Sequence, residues 1–248
     1  MEKQSLLNTY VNSVNMEETI DAIEKMISDR KKSYIVPINV DVVMQIENDP
    51  KLKEIVDKAD LVLVDGQPLV WIARWHKKPV KAKISGSDLI PELCKVAAKR
   101  GYSIFIIGGA DGVAEIAKTN LEKQFIGIQI VGTYAPPFGF EKDDNELEKI
   151  NLMINQKNPD ILIACLGCPK QEKWIYDNYQ KYNANVSICA GATVDFLAGN
   201  VKRAPKWMSN HGLEWLFRVT QDPKRLIKRY FIDDVKIISL ICKYGRRI

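Results

Sequence analysis

Short apolar runs that end in glycine or a polar residue recur along this chain, and the stretches around them have helical spacing. The runs fall at 33–38, 59–64, 103–107, 126–131, 160–166 and 186–190. Between them, 16–31, 42–46, 68–75, 87–100, 111–124, 143–156 and 169–182 read as helices. Ile20, Ile23 and Ile27 repeat at helical intervals behind Asn15, a candidate N-cap, and Asp49-Pro50 pairs a cap with proline at the first helical position. Strands that alternate with helices of roughly ten to fifteen residues form parallel βαβ units. The expectation is an α/β fold with a mainly parallel sheet flanked by helices, in which ligands bind beyond the carboxyl ends of the strands.

Near Arg203-Ala204-Pro205 the alternation stops, and the remainder is helical, basic and aromatic. We expect one α/β domain over 1–200 and a helical basic C-terminal appendage over 201–248. From Lys202 onward there are 12 Lys or Arg against 4 Asp or Glu, whereas the preceding residues carry 24 against 27. A mildly acidic body with a strongly basic tail implies an anionic partner for the tail. No run reaches the ~18 apolar residues of a spanning helix, and Met1-Glu2-Lys3-Gln4-Ser5 has no apolar signal core, so the expected location is cytoplasmic. The five cysteines, an odd number set in apolar runs, are expected to be reduced thiols.

The strand ends carry the candidate chemistry. They read Asn39-Val40-Asp41, Asp65-Gly66-Gln67-Pro68, Gly108-Gly109-Ala110-Asp111-Gly112, Gly167-Cys168-Pro169-Lys170-Gln171-Glu172 and Gly191-Ala192-Thr193-Val194-Asp195. All are expected on one rim of the sheet. Gly108-Gly109-x-x-Gly112 departs from a dinucleotide fingerprint and reads equally as a ligand loop or as a plain strand–helix turn. Asp65 beside Gly66 suits a general base aimed into a cleft, although a turn or a helix cap is the commoner use of such a pair. Cys165-x-x-Cys168 invites a redox or zinc reading, but His76 and His211 do not supply further ligands at metal spacing. No metal site and no cofactor are expected. In the tail, Ile227, Phe231, Val235, Ile238 and Cys242 follow at helical spacing among basic residues. That pattern suits the membrane interface, or else a helix packed on the main domain with a solvated basic face. No nucleic-acid reader module is present.

The run from Pro159-Asp160 through Gly167-Cys168-Pro169-Lys170-Gln171-Glu172-Lys173-Trp174 closely resembles the signature of the WecG/TagA/CpsF glycosyltransferases, glycosyltransferase family 26. Further matches follow in order: Asn39, Asp65-Gly66, Gly86-x-Asp88-Leu89, Gly108-Gly109, Gly191-x-x-x-Asp195, Arg203-Ala204-Pro205, Leu213-Glu214-Trp215-Leu216-Phe217-Arg218 and Pro223-x-Arg225. The resemblance covers about residues 8 to 235. It implies a Rossmann-like domain with a C-terminal appendage that reaches the membrane. The implied reaction is inverting and metal-independent: a hexose or N-acetylhexosamine moves from a UDP-sugar to a lipid-linked saccharide acceptor on a polyprenyl diphosphate. The implied place is the inner face of the bacterial plasma membrane, held peripherally.

Carried over by position, Asp65 is the base. Asn39 and Gln171 line the sugar and acceptor pocket, Gly108 and Gly109 hold the nucleotide, and Asp195 lies near the same cleft. Arg218 and Arg225 bind the diphosphate. Pro37 stands where the teichoic-acid branch often has threonine, and Lys228 stands where a third arginine often falls, with Arg229 next to it. Asp65-Gly66-Gln67-Pro68-Leu69-Val70-Trp71 and Pro136-Pro137-Phe138 look closer to exopolysaccharide or capsule members. Two other readings compete: a nucleotide-binding oxidoreductase, suggested by the βα alternation and Gly108-Gly109, and a non-catalytic membrane-binding module. A homo-oligomer is compatible with all three, because a pairing surface leaves no motif at this level.

Overall fold

The structure, a computed structural model, describes residues 2–205, 208, 212–221, 223 and 236–244. The chain opens with β1 (Lys3–Leu6), β2 (Thr9–Asn12), α1 (Met16–Ser28), β3 (Ser33–Ile38), α2 (Val40–Ile46) and α3 (Pro50–Lys58). Then come β4 (Leu61–Val64), α4 (Gln67–Trp75), α5 (Gly86–Arg100), β5 (Ser103–Gly108), α6 (Val113–Gln124) and β6 (Gln129–Tyr134). The alternation ends with α7 (Asp144–Lys157), β7 (Ile161–Cys165), α8 (Lys170–Asn178), β8 (Val186–Cys189) and α9 (Thr193–Ala198). Helices Glu214–Gln221 and Ile237–Tyr244 follow. Six strands form one sheet in the order β4-β3-β8-β7-β5-β6, and β1 and β2 form a separate hairpin. The fold is the expected Rossmann-like α/β arrangement.

Two compact units divide the chain. One comprises Met1–Asn15, Pro37–Ser85 and Val201–Ile248, and the second comprises Met16–Val36 and Gly86–Asn200.

In the second unit β8, β7, β5 and β6 pair in parallel. The residues of β5, β7 and β8 are apolar with almost no polar interruption and nearly all are buried. Strands covered by helices on both faces need such runs. The amino ends are tied by Asp160. Its Oδ2 accepts from the Ser103 N–H at 2.8 Å and from the Ser103 hydroxyl at 2.9 Å, while the Asp160 N–H donates to Ser103 Oγ at 3.0 Å. Asn185 Nδ2 donates to Asp160 Oδ1 at 3.3 Å. One carboxylate therefore sets the level at which β5 and β7 begin. The strand expected at 126–131 starts three residues later, because Phe125 to Ile128 closes a turn in which the Ile128 N–H donates to the Phe125 carbonyl at 3.2 Å. Ile126 is 94% exposed there and contributes nothing to the sheet.

In the first unit the hairpin is an addition to the sequence expectation. Its two-residue turn places Leu7 at φ 54°, where glycine or asparagine is the usual signal, so no turn signature marks it. The hairpin packs beside β4, and the buried Asn12 Oδ1 accepts from the Val62 N–H at 2.8 Å. That bond occupies a backbone donor which an edge strand otherwise leaves open. The helix Ile237–Tyr244 docks in this unit through buried Leu240. Lys243 Nζ lies 2.6 Å from Glu47 Oε1, and the Tyr244 hydroxyl donates to Glu47 Oε2 at 3.0 Å. Asn8 Nδ2 donates to Glu47 Oε2 at 2.9 Å. Burial pushes the Glu47 pKa up, but the hydrogen bonds from Lys243, Asn8 and Tyr244 outweigh it and hold the carboxyl below its ordinary value.

Two outcomes are expected. Asp160→Ala orphans the Ser103 N–H and lowers unfolding stability by ~1–3 kcal/mol, read by urea denaturation. Because the folded pKa of Glu47 is depressed, its contribution is complete above the ordinary value of 4.5 and is lost as pH falls through the lower folded value. Hydrogen exchange of the 240–244 amides is expected to accelerate in that acid range, and in Glu47→Gln already at neutral pH.

Candidate active site

In the second unit, Gly108 on β5 pairs with Cys165 on β7, and Ala164 pairs with Cys189 on β8, so three strands end at one level. Gly108 has φ 112°, and a Cβ there would lie 2.2 Å from the Cys165 carbonyl oxygen. No other residue fits. The Gly109 N–H donates to the same carbonyl at 3.1 Å. The sequence left Gly108-Gly109 open between a ligand loop and a plain turn. Here Gly108 serves strand closure, while Gly109 faces a cavity.

That cavity has a volume of about 420 Å³. Gly109, Leu166, Gly167, Gly191 and Ala192 supply backbone walls, and Asp195 and Lys170 supply charge. The loop after β6 closes it with Pro136, Pro137, Phe138 and Phe140. Phe140 is buried edge-on to Trp174, at 6.5 Å between ring centres, and anchors this loop. Phe138, two residues earlier, is left fully exposed. Lys170 Nζ lies 3.2 Å from Glu141 Oε2, and 5.1 Å and 5.6 Å from the ring centres of Phe138 and Phe140. A backbone hydrogen bond at Glu141, helped by Lys170, holds the Glu141 carboxyl below its ordinary pKa. Lys170 is also the first residue of α8, so the cation and the positive end of a helix dipole sit at the same wall. That wall suits an anionic group, while Asp195 gives the same cavity an acceptor.

Gln171, expected to line a sugar and acceptor pocket, is 5% exposed. Its Oε1 accepts from the Gly191 N–H at 3.0 Å, and its Nε2 donates to Glu172 Oε1 at 2.9 Å. It braces the Gly191 loop, which forms part of the cavity wall. Burial pushes the Cys165 thiol up to about 12, with the Asp195 charge adding to the effect, and pushes Cys189 well above its ordinary value. At neutral pH Cys165 is a packed thiol rather than a nucleophile. Among the described residues, no three His, Cys, Asp or Glu side chains gather as a metal-ligand set.

In the first unit, β3 and β4 deliver Asn39 and Asp65. The Asp65 N–H donates to the Ile38 carbonyl at 2.7 Å. Asn39 Oδ1 caps α2 by accepting from the Val42 N–H at 3.1 Å. Half-buried Asp65 precedes Gly66, the N-cap of α4, and the Gly66 Cα faces Asn39 so that an added Cβ would meet Asn39 Cβ at 4.0 Å. The structure therefore brings Asn39 and Asp65 together in this unit, and Gly108, Gly109, Gln171 and Asp195 together in the second. Arg218 belongs to the helix Glu214–Gln221. Its side chain, like Arg225 and Arg229, lies outside the described residues. Pro37, where a family threonine is common, is buried in β3.

Sequence reasoning missed Lys170 and Phe138 as cavity residues. Lys170 was visible at a strand–helix junction in a polar motif. Phe138, a lone aromatic between prolines and a glycine, signals a loop without showing that its ring turns outward.

Over residues 4–248 the chain matches the family described as "Glycosyl transferase WecG/TagA/CpsF family". It is 31% identical over 217 residues to the N-acetylglucosaminyldiphosphoundecaprenol N-acetyl-beta-D-mannosaminyltransferase of Bacillus subtilis (strain 168), across 87% of this chain and 82% of that relative. The enzyme of the same name from Staphylococcus aureus (strain MW2) is 25% identical over 226 residues, 90% of this chain and 87% of its own. The oxidoreductase and non-catalytic readings are thereby set aside: the chain belongs to the WecG/TagA/CpsF family and is a glycosyltransferase.

Proposed function

We propose that the enzyme transfers a hexose or N-acetylhexosamine, such as N-acetylmannosamine or glucose, from a UDP-sugar to a polyprenyl-diphosphate-linked saccharide. The product serves cell-surface polysaccharide synthesis. The observation that carries the reading is the second unit's cavity, which combines glycine backbone, a carboxylate, a lysine at a helix N-terminus and an exposed aromatic ring. Those are the parts that a uridine diphosphate needs. The ring of Phe138 offers a face for the base, Asp195 can accept from its N–H, and Lys170 with the α8 dipole meets the diphosphate. The names of the relatives describe transfer of N-acetylmannosamine to a lipid-linked N-acetylglucosamine, which supports the acceptor class.

In the proposed step an acceptor hydroxyl oxygen attacks the anomeric carbon. The bond from that carbon to the diphosphate oxygen breaks, and Asp65 takes the hydroxyl proton. A single displacement of this kind inverts the anomeric centre. Asn39 stands beside the base and orients the acceptor, while Gln171 acts through the Gly191 loop. UDP departs with added negative charge. Arg218, Arg225 and Arg229 of the 201–248 appendage stabilise it in place of a metal. The basic appendage contributes a membrane contact, which makes the enzyme peripheral on the inner face of the plasma membrane. Among the described residues no helix is long and apolar enough to cross a bilayer.

UDP release from a panel of UDP-sugars, with a short-chain polyprenyl diphosphate sugar and EDTA present, tests this. Release is expected to need acceptor and to survive EDTA. Asp65→Asn is expected to lower kcat by about 10²–10⁴-fold with UDP affinity retained. If the wild type shows no UDP binding by calorimetry, the reading is wrong. Phe138→Ala is expected to weaken UDP binding by the ~1–3 kcal/mol of a lost base–aromatic stack, measured in the same calorimeter.

A further inference from the structure

We infer that the outer face of α4 is a membrane-docking surface for an anionic phospholipid bilayer, with Trp71 and Trp75 entering the headgroup boundary. This deepens the function proposed above, since a lipid-linked acceptor has to meet the base from a bilayer. The surface belongs to the catalytic body and not to the basic tail.

Trp71 is 50% exposed and Trp75 is 70% exposed. Four residues apart, they share one face of the helix. The opposite face is already committed, with Leu69, Val70, Ile72 and Ala73 buried. Holding α4 in place therefore does not call for a second apolar face. Large aromatic rings left in water on a fixed helix mark a contact surface. Trp71 is steadied along one edge by Gly212, where an added Cβ would come within 2.8 Å of its ring. Trp75 stands further out and stacks on His76.

The charge around the two rings selects the occupant. From Gly66 to Ser87 the chain carries Arg74, Lys77, Lys78, Lys81 and Lys83 and no Asp or Glu. Arg74 and Lys77 are exposed beside the tryptophans. Lys78 bonds Ser5 Oγ at 2.9 Å, and Lys83 pairs with Glu214 at 3.7 Å, so those two stiffen the patch. A second copy of this surface would set cations against cations. Anionic headgroups meet the cations while the tryptophans take the interfacial depth that suits an amphipathic ring.

The placement has a catalytic consequence. α4 starts two residues after Asp65. On a rise of ~1.5 Å per residue, Trp71 and Trp75 lie ~6 and ~12 Å along the helix from its first residue. Seating the rings in a bilayer fixes where Asp65 stands relative to the surface from which a lipid-linked acceptor projects.

The test is co-sedimentation of the full-length protein with phosphatidylcholine vesicles, with and without phosphatidylglycerol. UDP binding and thermal melts are measured in parallel. The wild type is expected to prefer the anionic vesicles. Trp75→Ala is expected to weaken binding several-fold, and Trp71→Ala/Trp75→Ala about tenfold or more. Quenching of tryptophan fluorescence by brominated lipid is expected to fall in the double variant. Trp75 is exposed enough that its replacement leaves the melt unchanged, which keeps the test clear of misfolding. Wild-type affinity in Trp75→Ala overturns the proposal, as does equal binding to neutral vesicles. So does a wild-type dimer that Trp75→Glu dissociates in sedimentation velocity, since a second copy would then own the face. If vesicle binding follows the tryptophans while UDP is not bound, the docking surface stands and the proposed function fails.

Discussion

The carbonyl of Cys165 reaches to within 2.2 Å of where a side chain on Gly108 would begin, and the rim of the second unit depends on that approach. It holds β5 and β7 together to their last residues and lets Gly109 add a hydrogen bond at the same oxygen. Both chains then leave the sheet as backbone-lined loops, with α6 beginning at Val113 and α8 at Lys170. Gln171 ties the third loop in by holding Gly191. A methyl group at Gly108 would push β5 from β7 and shift the two loops that follow them. The Cys165 sulfur on that strand is buried, and burial holds it as a packed thiol.

The sheet was legible because parallel strands buried on both faces leave a nearly unbroken apolar signature, and 33–38 was read to the residue. Legibility failed where local signal and tertiary role part. The hairpin turn uses leucine at positive φ, and Ile126 is an apolar residue in water. Asn39 was legible as a strand-end polar group, yet its capping bond to Val42 depends on the start of α2 at Val40, which the sequence reading placed two residues later. Gln171 shows the limit most clearly. A motif names the residue, but only the geometry shows both ends of its amide consumed by Gly191 and Glu172. Its influence on a ligand passes through backbone. Lys170, its neighbour in the same motif, is the residue that faces the cavity.

The first unit is assembled from three separated stretches of chain, and its cross-links converge on α4 and α2. Gly212 packs against Trp71, and Glu214 pairs with Lys83, so the helix that carries Arg218 is held at its first turn by residues that follow Asp65 in the chain. Further on, Lys243 and Tyr244 close on Glu47, just past the helix that Asn39 caps. The C-terminal segment is thus fastened at two places to the unit that carries the proposed base. An exposed ion pair such as Lys243 with Glu47 is weak alone. Here it shares its carboxylate with a tyrosine hydroxyl and an asparagine amide, and buried Leu240 backs it. Several modest contacts on one acceptor hold a short helix that could not persist by itself in water. The amide comes from Asn8 in the hairpin turn, so the turn that the sequence concealed also supplies a donor to the clasp on the C-terminal helix.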